Sequence, residues 1–161
     1  MQKRCLMLMI YCSWAVYGGG LAYLAWHAHW ALALGWLAAV PLGQWLYIVK
    51  FPAFSPFMGY GRITDESSQV TRPASARVTL YTALGCPFCP LMNERLSELQ
   101  KSLGFELHKI DLTLRPDLVA GKGIRSVPVV EVGGRLLIGL VTTRELAAAI
   151  AEAGVTAGAV R

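Results

Sequence analysis

The chain has 161 residues, 55% of them hydrophobic and 16% charged, with a net charge of +5. The excess is uneven: residues before 78 carry a net charge of +4 and the rest +1, so the second half is nearly neutral. With no basic stripe there, the composition excludes a nucleic-acid footprint.

Two apolar segments come first. From Cys5 to Trp26 there are 22 residues without a charge, and from Ala28 to Val49 another 22, interrupted only by Pro41 and Gln44. At about 1.5 Å per helical residue, each is long enough for a hydrocarbon core of about 30 Å. Only His27 separates them, so they read as a transmembrane hairpin turning at Trp26-His27-Ala28-His29-Trp30, with tryptophans suited to an interface. A cleavable signal peptide has a shorter apolar region, about 7–15 residues, and a soluble helical hairpin would show a polar face. Lys3 and Arg4 precede the first span, Lys50 and Arg62 follow the second, and the turn has no Lys or Arg. The positive-inside rule then predicts an integral plasma (inner) membrane protein with two spans and both termini cytoplasmic. The expected division is a cytoplasmic N-terminus 1–4, spans 5–26 and 28–49, a juxtamembrane segment and linker 50–77, a domain 78–154 and a tail 155–161.

In the linker, Phe51 to Tyr60 is aromatic and proline-rich, as suits a segment near lipid headgroups. Residues 62–76 are small and polar and read as a tether reaching roughly 20 Å, which holds the following domain near the membrane without requiring it to dock.

The domain opens with a β-type run, Val78-Thr79-Leu80-Tyr81, followed by Gly85-Cys86-Pro87-Phe88-Cys89-Pro90. Met92, Leu96, Leu99 and Leu103 then recur at helical spacing. This places Cys86 at a helix N-cap, where free N–H groups and the helix dipole lower a thiol pKa, and Cys89 one turn on, placed to attack a mixed disulfide. Pro87 fits the first helical position, and Pro90 leaves the Phe88 and Cys89 amides to stabilise a thiolate. A zinc site would need four ligands, whereas the other cysteines, Cys5 and Cys12, lie far off in the apolar segment. A purely structural disulfide over two residues constrains little of the chain. The C-x-x-C pair therefore reads as a redox dithiol, and no metal site is assigned.

A second strand is expected at Phe105–Leu112, joined in parallel by the helix, then a short helix opened by Pro116. Ile124–Val132 leads into a third strand, Gly133-Gly134 marks a tight turn to Arg135–Gly139, and Thr142-Thr143-Arg144-Glu145 forms a capping box for a final helix. Pro128 at the head of a strand invites a cis bond.

Residues 78–154 resemble a glutaredoxin within the thioredoxin-fold superfamily: Cys86-Pro87-Phe88-Cys89 matches the dithiol active site, and Ser126-Val127-Pro128 the cis-proline motif. The resemblance implies an α/β thioredoxin-like domain of glutaredoxin-type order β-α-β-α-β-β-α, preceded here by the transmembrane helical hairpin. It also implies that Cys86 is the nucleophile, Cys89 the resolving thiol and the two together the redox disulfide. Pro87 and Phe88 would support the site, Pro128 would be cis and face the sulfurs, and Val127 would offer backbone hydrogen bonds to a substrate. The lysine that dithiol glutaredoxins commonly carry before the site is replaced by Thr82, Ala83 and Leu84. Their glutathione-gripping aspartates are replaced by Gly139-Leu140-Val141-Thr142-Thr143. The expected electron donor is accordingly either glutathione or a thioredoxin-reductase-type system, with no bound cofactor.

The expected function is a membrane-anchored thiol-disulfide oxidoreductase that reduces protein or glutathione mixed disulfides. Its partners would be membrane lipid and a disulfide-bearing protein, membrane proteins included, with no nucleic acid. The alternative is a membrane protein binding or transporting a soft metal, mercury or copper, through the same thiols. Cys5 and Cys12 read either as small apolar packing residues or as part of a thiol or metal pathway, and His27 and His29 as interfacial polar residues or metal ligands.

Overall fold

The computed structural model describes residues 3–60 and 76–158, with side chains described up to residue 154. Residues 62–75 of the expected tether lie outside the described residues.

The chain begins with a short strand, β1 (Cys5–Leu6), then α1 (Met7–Trp26) and α2 (Trp30–Phe54). Both helices are long and apolar enough to cross a membrane, and few of their side chains are buried. They fold back on one another: the Trp36 indole N–H donates to the Tyr17 carbonyl at 3.2 Å, and a Cβ on Gly20 would lie 3.1 Å from the Trp36 ring. Gly20 thus gives Trp36 room to pack, while Gly18 and Gly19 have nothing near them.

Both boundaries differ from the hydropathy reading. Cys5 and Leu6, expected as the first residues of the first span, are strand. The second helix starts at Trp30 rather than 28 and passes Val49 to end at Phe54, with Pro52 inside it. Beyond it the chain turns, Ser55 N–H donating to the Phe51 carbonyl at 2.8 Å and Tyr60 N–H to the Ser55 carbonyl at 3.0 Å. The expected interfacial segment 51–60 is therefore a helix end and a turn.

The C-terminal domain runs β2 (Arg77–Thr82), α3 (Phe88–Leu103), β3 (Glu106–Asp111), α4 (Pro116–Gly121), β4 (Ser126–Val127), β5 (Val129–Val132), β6 (Arg135–Ile138) and α5 (Thr143–Gly158). Its sheet has the order β3-β2-β5-β6, with β2 parallel to β3 and the other pairs antiparallel. Gly133 and Gly134 have φ of 55° and 83°, the positive pair that a tight two-residue hairpin needs. The capping box forms reciprocally: Glu145 N–H donates to Thr142 Oγ1 at 3.3 Å and Thr142 N–H to Glu145 Oε2 at 3.2 Å. The Thr142 hydroxyl, donating to Glu145 Oε2 at 2.9 Å, and then the Thr142 N–H hold the Glu145 carboxyl below the usual carboxylate range. The helix they start continues to Gly158, into the expected tail.

Alternation along the strands divides the buried residues in two. Val78, Leu80, Val130 and Val132 face Met92, Leu96, Leu99 and Leu103 of α3 and Leu146, Ala147 and Ile150 of α5. Tyr81 and Val129 belong to a second cluster with Ala83, Cys86, Phe88, Cys89, Leu112, Ile124 and Val127. Met7 and Ile10 of α1 and Phe51 of α2 complete that second cluster, so the hairpin supplies part of the domain's interior.

Candidate redox site and its N-terminal cover

Cys86 lies on the loop that carries β2 into α3, its N–H donating to the Ala83 carbonyl at 3.3 Å, and Cys89 N–H donates to the Cys86 carbonyl at 3.3 Å. The helix starts at Phe88 with Pro87 as its N-cap. Cys86 therefore stands one residue before the N-cap rather than at it, and Pro87 is not the first helical residue. Facing the dithiol, the Val127–Pro128 peptide is cis, and the Cys86 thiol points to the Val127 carbonyl at 3.8 Å. Both thiols are free and buried, Cys86 at 1% exposure and Cys89 at 5%.

The Cys86 pKa runs opposite to the expected direction and is pushed up to about 12. A hydrogen bond from Cys5 lowers it, but the Cys89 thiol and burial together raise it further, and the Phe88 amide only partly compensates. Cys5 is itself pushed up, first by its hydrogen bond with Cys86 and then by burial. A thiol of raised pKa favours the closed arrangement fully below about pH 9, its ordinary value. As pH climbs from there towards 12, that contribution is lost at up to about 1.4 kcal/mol per pH unit. Alkylation of Cys86 in the full chain should consequently keep accelerating above pH 9. A rate that levels off below pH 9, followed by mass spectrometry of the Cys86 peptide, would show a thiol of lowered pKa instead.

The cover comes from the N-terminus. Strand β1 pairs antiparallel with β4, with Cys5 opposite Val127 and Leu6 opposite Ser126. Clamps hold it at both ends: Met7 N–H donates to the Arg125 carbonyl at 3.0 Å and Leu140 N–H to the Lys3 carbonyl at 2.8 Å. Two residues along from the bonded Met7–Arg125 pair, the antiparallel ladder makes Cys5–Val127 the next hydrogen-bonding position. Gly139, with φ of 87°, lies under the strand, and a Cβ there would meet the Lys3 carbonyl oxygen at 3.1 Å.

The helices press on the same face. Tyr11 donates its hydroxyl to the Leu112 carbonyl at 3.2 Å, and the Gln44 amide lies so close to Gly85 that a Cβ there would stand 2.6 Å from it. The Phe51 and Phe88 rings meet edge-to-face at 4.9 Å, with Tyr60 at 5.9 Å from Phe51 and 5.3 Å from Phe88. An apolar cavity of about 250 Å³ remains between α1, α2 and the Leu84-Gly85 loop. Behind the site, Lys122 Nζ contacts Glu131 at 2.8 Å and Tyr81 donates to the same carboxylate at 2.6 Å. Those contacts lower the Glu131 pKa and fix the start of the loop that presents Arg125 and Ser126 to the N-terminal strand.

The structure thus brings together Cys86, Cys89, Pro87, Phe88, Val127 and Pro128, all singled out in the sequence, and adds Lys3, Cys5, Met7, Tyr11, Gln44 and Phe51. A signal for Gln44 existed: a lone amide in an apolar span wants a partner. Cys12 is exposed on α1, and His27 and His29 stack at the hairpin turn with ring centroids 6.4 Å apart. Among the described residues, no three or more His, Cys, Asp or Glu side chains are grouped so as to hold a metal ion.

Residues 77–151 match the family model described as Glutaredoxin-like domain (DUF836). Among solved structures the chain is similar to a mutant thioredoxin from Halobacterium salinarum NRC-1. The identity is 20% and the TM-score 0.46, over 50% of this chain and 76% of that one. No curated protein matches.

Proposed function

We propose that the glutaredoxin-like domain of residues 77–151, a thioredoxin-like α/β fold preceded by two long apolar helices, is a membrane-anchored thiol-disulfide oxidoreductase. The observation that carries this reading is the Cys86 thiol directed at the carbonyl before a cis-proline, with a second thiol one turn along the helix. Cys86 as thiolate attacks a substrate disulfide and expels one sulfur as a thiol. Cys89 then attacks Cys86 and expels the other, leaving the Cys86–Cys89 disulfide. Two electrons pass from the dithiol to the substrate. The Phe88 amide hydrogen-bonds the Cys86 sulfur and favours its thiolate, while Val127 offers backbone groups to a substrate strand. Glutathione or a flavoprotein reductase would restore the dithiol.

The two helices anchor the domain in a bilayer, with both termini and the redox site on the cytoplasmic side. Their outward-facing apolar side chains suit lipid, and exposed Leu84 and Leu114 near Trp14 suit a site resting against the membrane surface. A disulfide-bearing protein at that surface fits as substrate.

Trapping tests the reading. A full chain with Cys89→Ser and Cys5→Ser, which lacks both thiols near Cys86, should accumulate protein or glutathione mixed disulfides on Cys86, resolved by mass spectrometry after acid quench. Absence of any adduct in cells and with added oxidised glutathione would overturn it.

A further inference from the structure

We infer that Cys5 is a third exchanging thiol of this site and that residues Lys3 to Met7 are a built-in substrate strand, which brings Cys5 to Cys86 for an internal disulfide. This rests on the exchange-competent dithiol proposed above and names a partner for it within the same chain.

Four features carry the inference. The strand pairs with the residues just before Pro128, where an extended substrate would gain backbone hydrogen bonds, and its register puts the cysteine opposite Val127. Val127 is also the residue whose carbonyl faces the Cys86 thiol, so both thiols converge on one backbone unit. The pairing is clamped at both ends, through Lys3 to Leu140 and Met7 to Arg125, which holds Cys5 in place rather than sweeping past. Cys5 packs against the same buried cluster that contains Cys86 and Cys89. A small apolar residue filling space would need neither the strand pairing nor the clamps.

The exchange balances without an outside oxidant once the Cys86–Cys89 disulfide exists. Cys5, as thiolate, attacks the sulfur of Cys86. The Cys5–Cys86 bond forms, the Cys86–Cys89 bond breaks, and Cys89 leaves as a thiolate that takes up the proton Cys5 gave away. No net oxidation occurs, and the reverse attack by Cys89 frees Cys5 again. A thiol fixed beside its target exceeds the millimolar effective concentration typical of a short flexible link, so the internal partner competes with millimolar glutathione. The site is therefore guarded: oxidised, it stores its disulfide on the chain's own strand, and an external client must displace that strand to reach Cys86.

The test uses the full chain in detergent micelles, carrying Cys12→Ser and Cys89→Ser so that only Cys5 and Cys86 remain, treated with dithiodipyridine as the disulfide. The expected result is release of two thiopyridone molecules per chain and a Cys5–Cys86 cross-linked peptide lacking two hydrogens. With Cys5→Ser added, one thiopyridone is released and Cys86 keeps a thiopyridyl group. Two thiopyridyl adducts, or one adduct on Cys86 beside a free Cys5, would overturn the internal disulfide while leaving an exchanging Cys86. No reaction at Cys86 in the chain with Cys5→Ser would instead overturn the exchange-competent dithiol and the inference with it.

Discussion

Replacing Met7 with proline is expected to raise the alkylation rate of Cys86 in the full chain by roughly 30- to 140-fold. Met7 is the first residue of α1, a position where proline costs a helix nothing, and Leu6 before it already has the extended ψ of 130° that a following proline requires. The substitution therefore spares the helix and strikes the clamp. It removes the N–H bound to the Arg125 carbonyl, about 1 kcal/mol, and most of a side chain that is only 3% exposed, about 1–2 kcal/mol more. Closure weakened by about 2–3 kcal/mol shifts the open population by that factor, at tenfold per 1.4 kcal/mol. Iodoacetamide labelling at fixed pH measures it, and an unchanged rate would mean that the N-terminal strand does not control access.

Phe51→Ala should loosen the hairpin from the domain by about 3–5 kcal/mol without unfolding the sheet. Phe51 is 1% exposed, its ring stands edge-on to Phe88, and it is the buried α2 residue in the active-site cluster. Its loss removes a buried aromatic and leaves a cavity next to the dithiol helix. The other cluster, built from β2, β5, α3 and α5, contains no hairpin residue and should hold. Hydrogen exchange distinguishes the two: amides from Cys86 to Met92 and around Leu112 should lose protection, while those of Leu80 and Val130 keep theirs. Equal loss in both sets would show one indivisible core.

Local chemistry is legible in the sequence, and long-range contact is not. Cys86, Cys89 and the cis Pro128 can be read because their meaning lies in short motifs, and the Thr142–Glu145 capping box because its partners are three residues apart. Strand β1 cannot be read this way. Cys5 and Leu6 continue an apolar run into α1, so hydropathy assigns them to the helix, and their partners Val127 and Ser126 lie at the other end of the chain. The same gap explains the Cys86 pKa. A helix N-terminus lowers it on local grounds, but the Cys89 thiol and burial under residues from α1 and α2 outweigh that effect. The end of α2 escapes the sequence because the uncharged run stops at Val49, before Lys50, whereas the helix continues through Lys50 and Pro52 to Phe54.

The shared cluster gives biosynthesis an order. Met7, Ile10 and Phe51 leave the ribosome before any residue of the domain, whereas Val127 and Leu140, against which the N-terminal strand closes, come near the end. During translation the hairpin waits with an unfilled apolar face, and Cys86 emerges before its lid can shut. The dithiol of a nascent chain is thus uncovered, whereas that of the finished protein is enclosed, because the strand that covers it needs Val127 and Leu140 to close against.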